Sequence, residues 1–286
     1  MAVSLDHLLN LKLPEMRQTY AEKDVILYAL GIGLGDDPTD EAQLSFVYEK
    51  SLKPLPTLSV VLAYARVRDM KLGLNYAKIV HGEQSLVVHK QPPVQGTVVA
   101  RTRVAQVLDK GADKGALVVL ERELFDEGNG DHLATTTMTA FARGDGGIGS
   151  SVDSLPAPHP IPERQADAVC AIKTLPQAAL IYRLSGDTNP LHAEPAVARA
   201  AGFARPILHG LATYGIVGHA LLKQVCHYDP SGIRSLAGRF SGPVYPGEEL
   251  EVSFWRDGDV VSLRASVPAR GAVVFANGRA ELAAVA

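Results

Sequence analysis

The stretch ILHGLATYGIVGHALLKQV, residues 207–225, decides the fold. Its apolar residues cover a broad helical face and no proline interrupts it, so it reads as a mostly buried helix. LPTLSVVLAYARVRDMK, residues 55–71, has the same character and predicts a second helix of this kind. The two stretches also align: PTLSVVLAY (56–64) lies against PILHGLATY (206–214), and upstream YALGIG (28–33) lies against YRLSGD (182–187).

Working outward, a turn signal and an alternating run follow each helix, PPVQGTVVARTRV at 92–104 and GPVYPGEELEVSFW at 242–255. Each half then closes with β-branched or alternating segments, ALVVLERELF and LATTTMTAFA in the first, VVSLRASV and AVVFANGRAEL in the second. Gly, Asp and Asn punctuation between them suits antiparallel hairpins. The economical architecture is α+β, a sheet wrapped around one buried helix, made twice. The boundary falls in a Gly, Ser and Pro-rich passage without apolar periodicity. The predicted units are residues 1–148, a linker at 149–165, and residues 166–286.

The chain has 286 residues, 47% of them hydrophobic, enough for a large core. Its net charge of −3 and scattered Lys and Arg argue against a nucleic-acid surface. Two cysteines, Cys170 and Cys226, are too few for a disulfide framework and too far apart in sequence for a zinc knuckle, which favours a reducing compartment. The opening residues lack a secretory pattern, the closing AAVA is no peroxisomal address, and apolar runs are far shorter than a membrane span. A cytoplasmic location is expected.

Polar chemistry concentrates in YRLSGDTNPLH, residues 182–192. Gly186 ends a helical turn, Pro190 stiffens the chain beyond it, and Asp187, Asn189 and His192 are left within reach of one small molecule. An acid and an imidazole around one water suit proton transfer. In RPILHGL, residues 205–211, Gly210 stands where a helix begins, and its N–H can stabilise negative charge developing on a carbonyl oxygen. Close packing of helix on sheet is the competing reason for that glycine. The first half offers only Gly33 opposite Asp187, Ser59 opposite His209 and Val60 opposite Gly210, the asymmetry expected of a single site. Gly144, Gly146 and Gly149 formally spell a dinucleotide motif, but no helix can open after them. Ser185 lacks a nucleophile elbow.

YRLSGDTNPLH followed by ARPILHGL resembles the signature of the hydratase 2 family, the (R)-specific enoyl-CoA hydratases within the MaoC-like dehydratase group. YALGIG, FVYEKSLKPLPT, HGEQSLVVHK and VLDKG resemble the non-catalytic half of the two-part hydratase 2 of peroxisomal multifunctional enzymes. The resemblance implies a double hot-dog fold and reversible hydration of trans-2-enoyl-CoA to (3R)-3-hydroxyacyl-CoA, with no metal or redox cofactor. It implies Asp187 and His192 as the acid/base pair, Asn189 placing the water, and Gly210 binding the thioester oxygen. Tyr28 and Glu49 would support the site, and the first half would make room for the acyl tail. Arg205 and Arg239 are candidates for the CoA phosphates and His209 for substrate contact. A homodimer is expected, with neither nucleic acid nor membrane as partner. A hot-dog thioesterase and a non-catalytic acyl-CoA-binding protein are the rival readings.

Overall fold

The computed structural model describes residues 3–283, and the last three residues of the AAVA ending lie outside them. The first half contains α1 (Leu5–Asn10), β1 (Met16–Tyr20), α2 (Glu22–Gly31), α3 (Glu41–Val47), β2 (Ile79–Val88), β3 (Gly96–Asp109), β4 (Ala116–Asp126) and β5 (His132–Ala142). The second contains β6 (Ala168–Lys173), α4 (Ala178–Tyr182), α5 (Pro195–Ala200), α6 (Gly210–Gln224), β7 (Ile233–Phe240), β8 (Glu249–Asp257), β9 (Val260–Val267) and β10 (Ala272–Leu282).

All ten strands form one antiparallel sheet in the order β1-β3-β4-β5-β2-β7-β10-β9-β8-β6. Read inward from either edge the order is the same, because β6, β8, β9, β10 and β7 repeat β1, β3, β4, β5 and β2. The halves meet where β2 pairs with β7, with Leu86 opposite Leu236. This is the duplicated sheet the repeat predicts. Tyr28 and Tyr182, aligned by that repeat, touch each other between the halves with ring centroids 6.0 Å apart.

Helix α6 is buried from Leu211 through Leu222. A helix apolar on all sides belongs in a core, and here both halves wrap it. Close approach depends on two glycines: a Cβ on Gly215 would lie 2.7 Å from Ile32 Cγ2, and one on Gly218 would lie 2.6 Å from Thr57 Cγ2. His219, also on α6, is fully buried, and its Nδ1–H donates to the Ile32 carbonyl.

The expected helix at 55–71 is not formed. Two separate 3-10 turns, Pro56–Val60 and Val67–Met70, stand in its place. An α-helix would pair the Ser59 carbonyl with the Ala63 N–H. Instead the buried Arg122 takes the carbonyls of Ser59 and Leu62, and Gln18 Oε1 accepts from the Ala63 N–H at 2.6 Å. Ala63 then turns out of the helical region at φ +48. The apolar pattern survives as buried residues, but not as a helix.

Residues 149–165 carry neither helix nor strand, as composition suggests, yet they are fastened down. His159 pairs with Ser262 Oγ at 2.7 Å, Asn277 donates to the His159 carbonyl, and Trp255 Nε1–H donates to the Arg164 carbonyl.

Candidate active site

The segment from Tyr182 to His192 folds by local rules. Helix α4 ends in a 3-10 turn over Arg183–Ser185, and Gly186 follows at φ +124, a conformation that other residues rarely adopt. Asp187 Oδ1 accepts from the Asn189 N–H and Asn189 Oδ1 accepts from the Leu191 N–H, both at 3.1 Å. Two successive side-chain turns therefore set the loop. Pro190 opens the 3-10 turn that ends at His192. With its oxygen engaged, Asn189 presents its amide NH2 group.

His192 is 7% exposed, and its Nδ1–H donates to the Ile207 carbonyl at 2.8 Å. That bond fixes the tautomer, so the lone pair of the neutral ring sits on Nε2. His209 is the residue before α6 and is 1% exposed. Its Nε2–H donates to the Asp187 carbonyl at 2.9 Å. The two imidazoles stack, centroids 3.7 Å apart and planes 28° from parallel, and Tyr182 lies 5.2 Å beyond His209. Burial holds the His192 imidazolium below its usual range. Burial and the neighbouring His192 push His209 down to about 3.

Donor atoms of Asp187, His192 and His209 lie within 4.8 Å of one another, a spacing open to proton transfer or to metal binding. Beside them, α6 begins at Gly210. Ala212 and Thr213 both turn their N–H to the His209 carbonyl, so the N–H groups of Gly210 and Leu211 have no partner within the helix. A Cβ on Gly210 would meet the Phe240 ring at 3.6 Å, an ordinary contact. Packing therefore does not demand glycine here.

The remaining expected residues scatter. Tyr28 is fully buried and packs against Tyr182, which in turn packs against His209. Glu49 does not support the site: it is exposed after α3, whose Phe46 packs on Tyr228 beyond the far end of α6. A helix of 15 residues, about 22 Å at 1.5 Å per residue, separates it from Gly210. Arg239 is tied across the halves to Glu83 at 2.7 Å rather than to the cluster. Arg205 is exposed on the chain leading into α6, with its guanidinium 5.2 Å from the Tyr245 ring centre.

Two residues of the first half escape sequence reading. Arg66 Nη1 donates to Thr188 Oγ1 at 2.9 Å, gripping the Asp187–His192 loop from the other half. Burial pushes the Tyr64 phenol upward, and the Asp187 carboxylate adds to the shift. The only sequence signal for Tyr64 is its alignment with Tyr214. Between the halves lies a cavity of about 90 Å³, lined by Leu27, Leu58, Val61 and Leu62 and by Leu184 to Gly186 of the loop preceding Asp187.

Residues 18–144 match the MFE-2 hydratase 2 N-terminal domain, and residues 159–273 match the MaoC like domain. The peroxisomal enoyl-CoA hydratase 2 of Arabidopsis thaliana is 38% identical over 95% of this chain and 93% of its own length. The chain belongs to the MaoC-like hydratase 2 family. Within the family, the 3-hydroxyacyl-thioester dehydratase Y of Mycobacterium tuberculosis is 40% identical over 83% of this chain and 82% of that protein. The crystal structure of a MaoC-like dehydratase from Phytophthora capsici superposes with a TM-score of 0.89 at 34% identity, covering 99% of this chain and 100% of that one. A double hot-dog protein of Mycobacterium tuberculosis, 17% identical with a TM-score of 0.57 and covering 95% of this chain and 96% of that one, shares the fold.

Proposed function

We propose that the chain reversibly adds water to trans-2-enoyl-CoA, giving (3R)-3-hydroxyacyl-CoA. The observation that carries this reading is the convergence of Asp187 and His192, whose Nε2 lone pair is left free, next to the start of α6, where the Gly210 N–H has no partner within the helix. In this reading the thioester oxygen lies against the start of α6, where the N–H and the helix dipole stabilise enolate charge. Asp187 and His192 hold one water. As its oxygen bonds to C3 the pair takes a proton from it, and a proton passes from the pair to C2. The pair is thereby regenerated, and dehydration runs the same steps backwards. Asn189 orients the water through its NH2 group.

Further assignments belong to the same proposal. The acyl tail enters the cavity between the halves, so Leu62→Trp should shift preference toward shorter chains. Arg205, on its Tyr245 platform, meets a CoA phosphate. The chemistry needs no metal, although the three side chains have the composition of a ligand set; activity that survives prolonged chelation supports this, and activity lost and then restored by zinc overturns it. A cytoplasmic home and a homodimeric state complete the reading, with fractionation and light scattering as their tests; the Arabidopsis thaliana relative carries "peroxisomal" in its name.

The deciding experiment follows the enoyl-thioester ultraviolet absorbance with short, medium and branched trans-2-enoyl-CoAs, the product being trapped by an (R)-specific or an (S)-specific dehydrogenase. Coupling only to the (R)-specific enzyme is expected. Asp187→Asn, folded by circular dichroism, should lose at least about 10²-fold in kcat, since positioned acid/base groups contribute about 10²–10⁴. Tight binding without turnover of any chain overturns the proposal, and release of free thiol points to thioester hydrolysis instead.

A further inference from the structure

His209 is expected from the sequence to contact substrate, and its surroundings give it another task. It is 1% exposed, enclosed by His192 on one face, with Tyr182 and Arg183 among its neighbours. Its Nδ1 is buried with no hydrogen-bond partner, and its Nε2–H is spent on the Asp187 carbonyl. Nε2 cannot turn to a substrate without breaking that bond, and burial closes Nδ1 off from one.

We propose that His209 is a positioning residue, a neutral imidazole that registers the acid/base loop against the start of α6. This role rests on the hydration proposed for the site. Two bonds run in opposite directions between the same two loops: His192 Nδ1–H donates to the Ile207 carbonyl, and His209 Nε2–H donates to the Asp187 carbonyl. Together they close a ring of backbone and side chain that contains both members of the catalytic pair. His209 also immediately precedes Gly210, so the same residue ties the pair to the oxyanion-binding N–H. The stack adds a second constraint, because rings 3.7 Å apart hold the plane of His192 while its Nδ1–H bond holds the direction of Nε2. Two imidazoliums at that separation repel strongly, so the pair carries at most one charge. Facing groups agree with a neutral His209: Arg183 and His192 both disfavour a second cation there.

The first half supplies a control. Ser59 stands opposite His209, and its carbonyl is taken by Arg122, while Gly33 stands opposite Asp187. The half without a catalytic pair lacks the brace as well.

Three variants separate the two constraints. His209→Phe keeps a ring on His192 but has no donor for Asp187; His209→Gln keeps an amide donor but no ring; His209→Ala has neither. Loss of about 1 Å in placement costs on the order of 10²-fold in rate. The expected result is therefore a kcat loss of that order in His209→Ala with KM changed less than about threefold, and partial recovery of kcat in His209→Gln. The acid limb of kcat/KM should stay low in His209→Phe, which keeps His192 covered, and rise in His209→Ala, which uncovers it. Nitrogen-15 spectra of the wild-type ring should show the Nε2–H tautomer of His209 persisting at pH 5, independently of turnover.

A rise in KM at constant kcat makes His209 a substrate contact and overturns the proposal. So does equal loss in all three folded variants with an unmoved acid limb, or a protonated His209 at pH 5. Failure of the hydration reading is distinguishable, because the wild type itself would then be inactive while the tautomer measurement still reads the brace.

Discussion

At the scale of single residues, the site separates groups that carry charge from groups that hold them. His192 is basic at one nitrogen only, since the other is bonded to Ile207. Burial lowers its pKa, so neutral His192 persists to lower pH than a free imidazole would. A reaction that uses the neutral ring is full above that lowered pKa and is lost as pH falls through it. The acid limb of kcat/KM should thus lie below about 6.5, the ordinary histidine value; a stopped-flow pH series that places it at or above this value contradicts the neutral role. Most of this was legible beforehand. Asp187, Asn189, His192 and Gly210 belong to one or two short segments, and such segments keep their geometry through local turns and caps. The surroundings of Glu49 and Arg239 could not be read locally, because they depend on contacts far along the chain, Phe46 on Tyr228 and Glu83 on Arg239. Arg66 and Tyr64 were missed for the same reason.

At the scale of elements, α6 and the Pro56–Val60 turn show how little a hydrophobic pattern says about hydrogen bonds. Both stretches are buried and both have a helical apolar face, yet only one is a long helix. The difference lies in Arg122 and Gln18, which sit on β4 and β1 and which no local pattern in residues 55–71 reveals. Within α6 the glycines have separate duties. Gly215→Ala and Gly218→Ala push a methyl into side chains less than 3 Å away and should destabilise the fold by about 1–3 kcal/mol, readable in chemical denaturation. Gly210→Ala, with 3.6 Å to Phe240, should leave stability within about 1 kcal/mol and lower kcat/KM instead, by crowding the approach to the N–H. A Gly210→Ala protein that is destabilised but fully active per folded molecule would mean that the glycine serves packing after all.

For the whole molecule, the sheet passes from one half to the other without a break, and a single core cluster draws residues from both. The linker is fastened rather than free, so the halves should unfold together as one calorimetric transition. Histidines in that core and at its edge are kept neutral. Burial pushes His81 and His219 down to about 4, and His209 lies at about 3. In the unfolded chain each takes up a proton near 6.5, whereas the native chain resists until its lowered pKa. Their stabilising contribution is complete above about 6.5 and is lost as pH falls toward 3–4. Melting temperature should therefore decline across that window, and His219→Gln should flatten the decline; a melting temperature constant from pH 7 to pH 4 would contradict the assignment.

Arg122 also bars the first half from a site of the kind the second half holds. Restoring an acid at Gly33 and an imidazole at Ser59 would not rebuild the missing chemistry. Position 33 has φ +90, which strains any side chain, and the guanidinium and Gln18 already hold the groups a helix would need. Several substitutions would have to arrive together, each unfavourable alone. The structure works as a one-way latch: while this clamp is closed, the first half can vary around it but cannot host a second site by single changes.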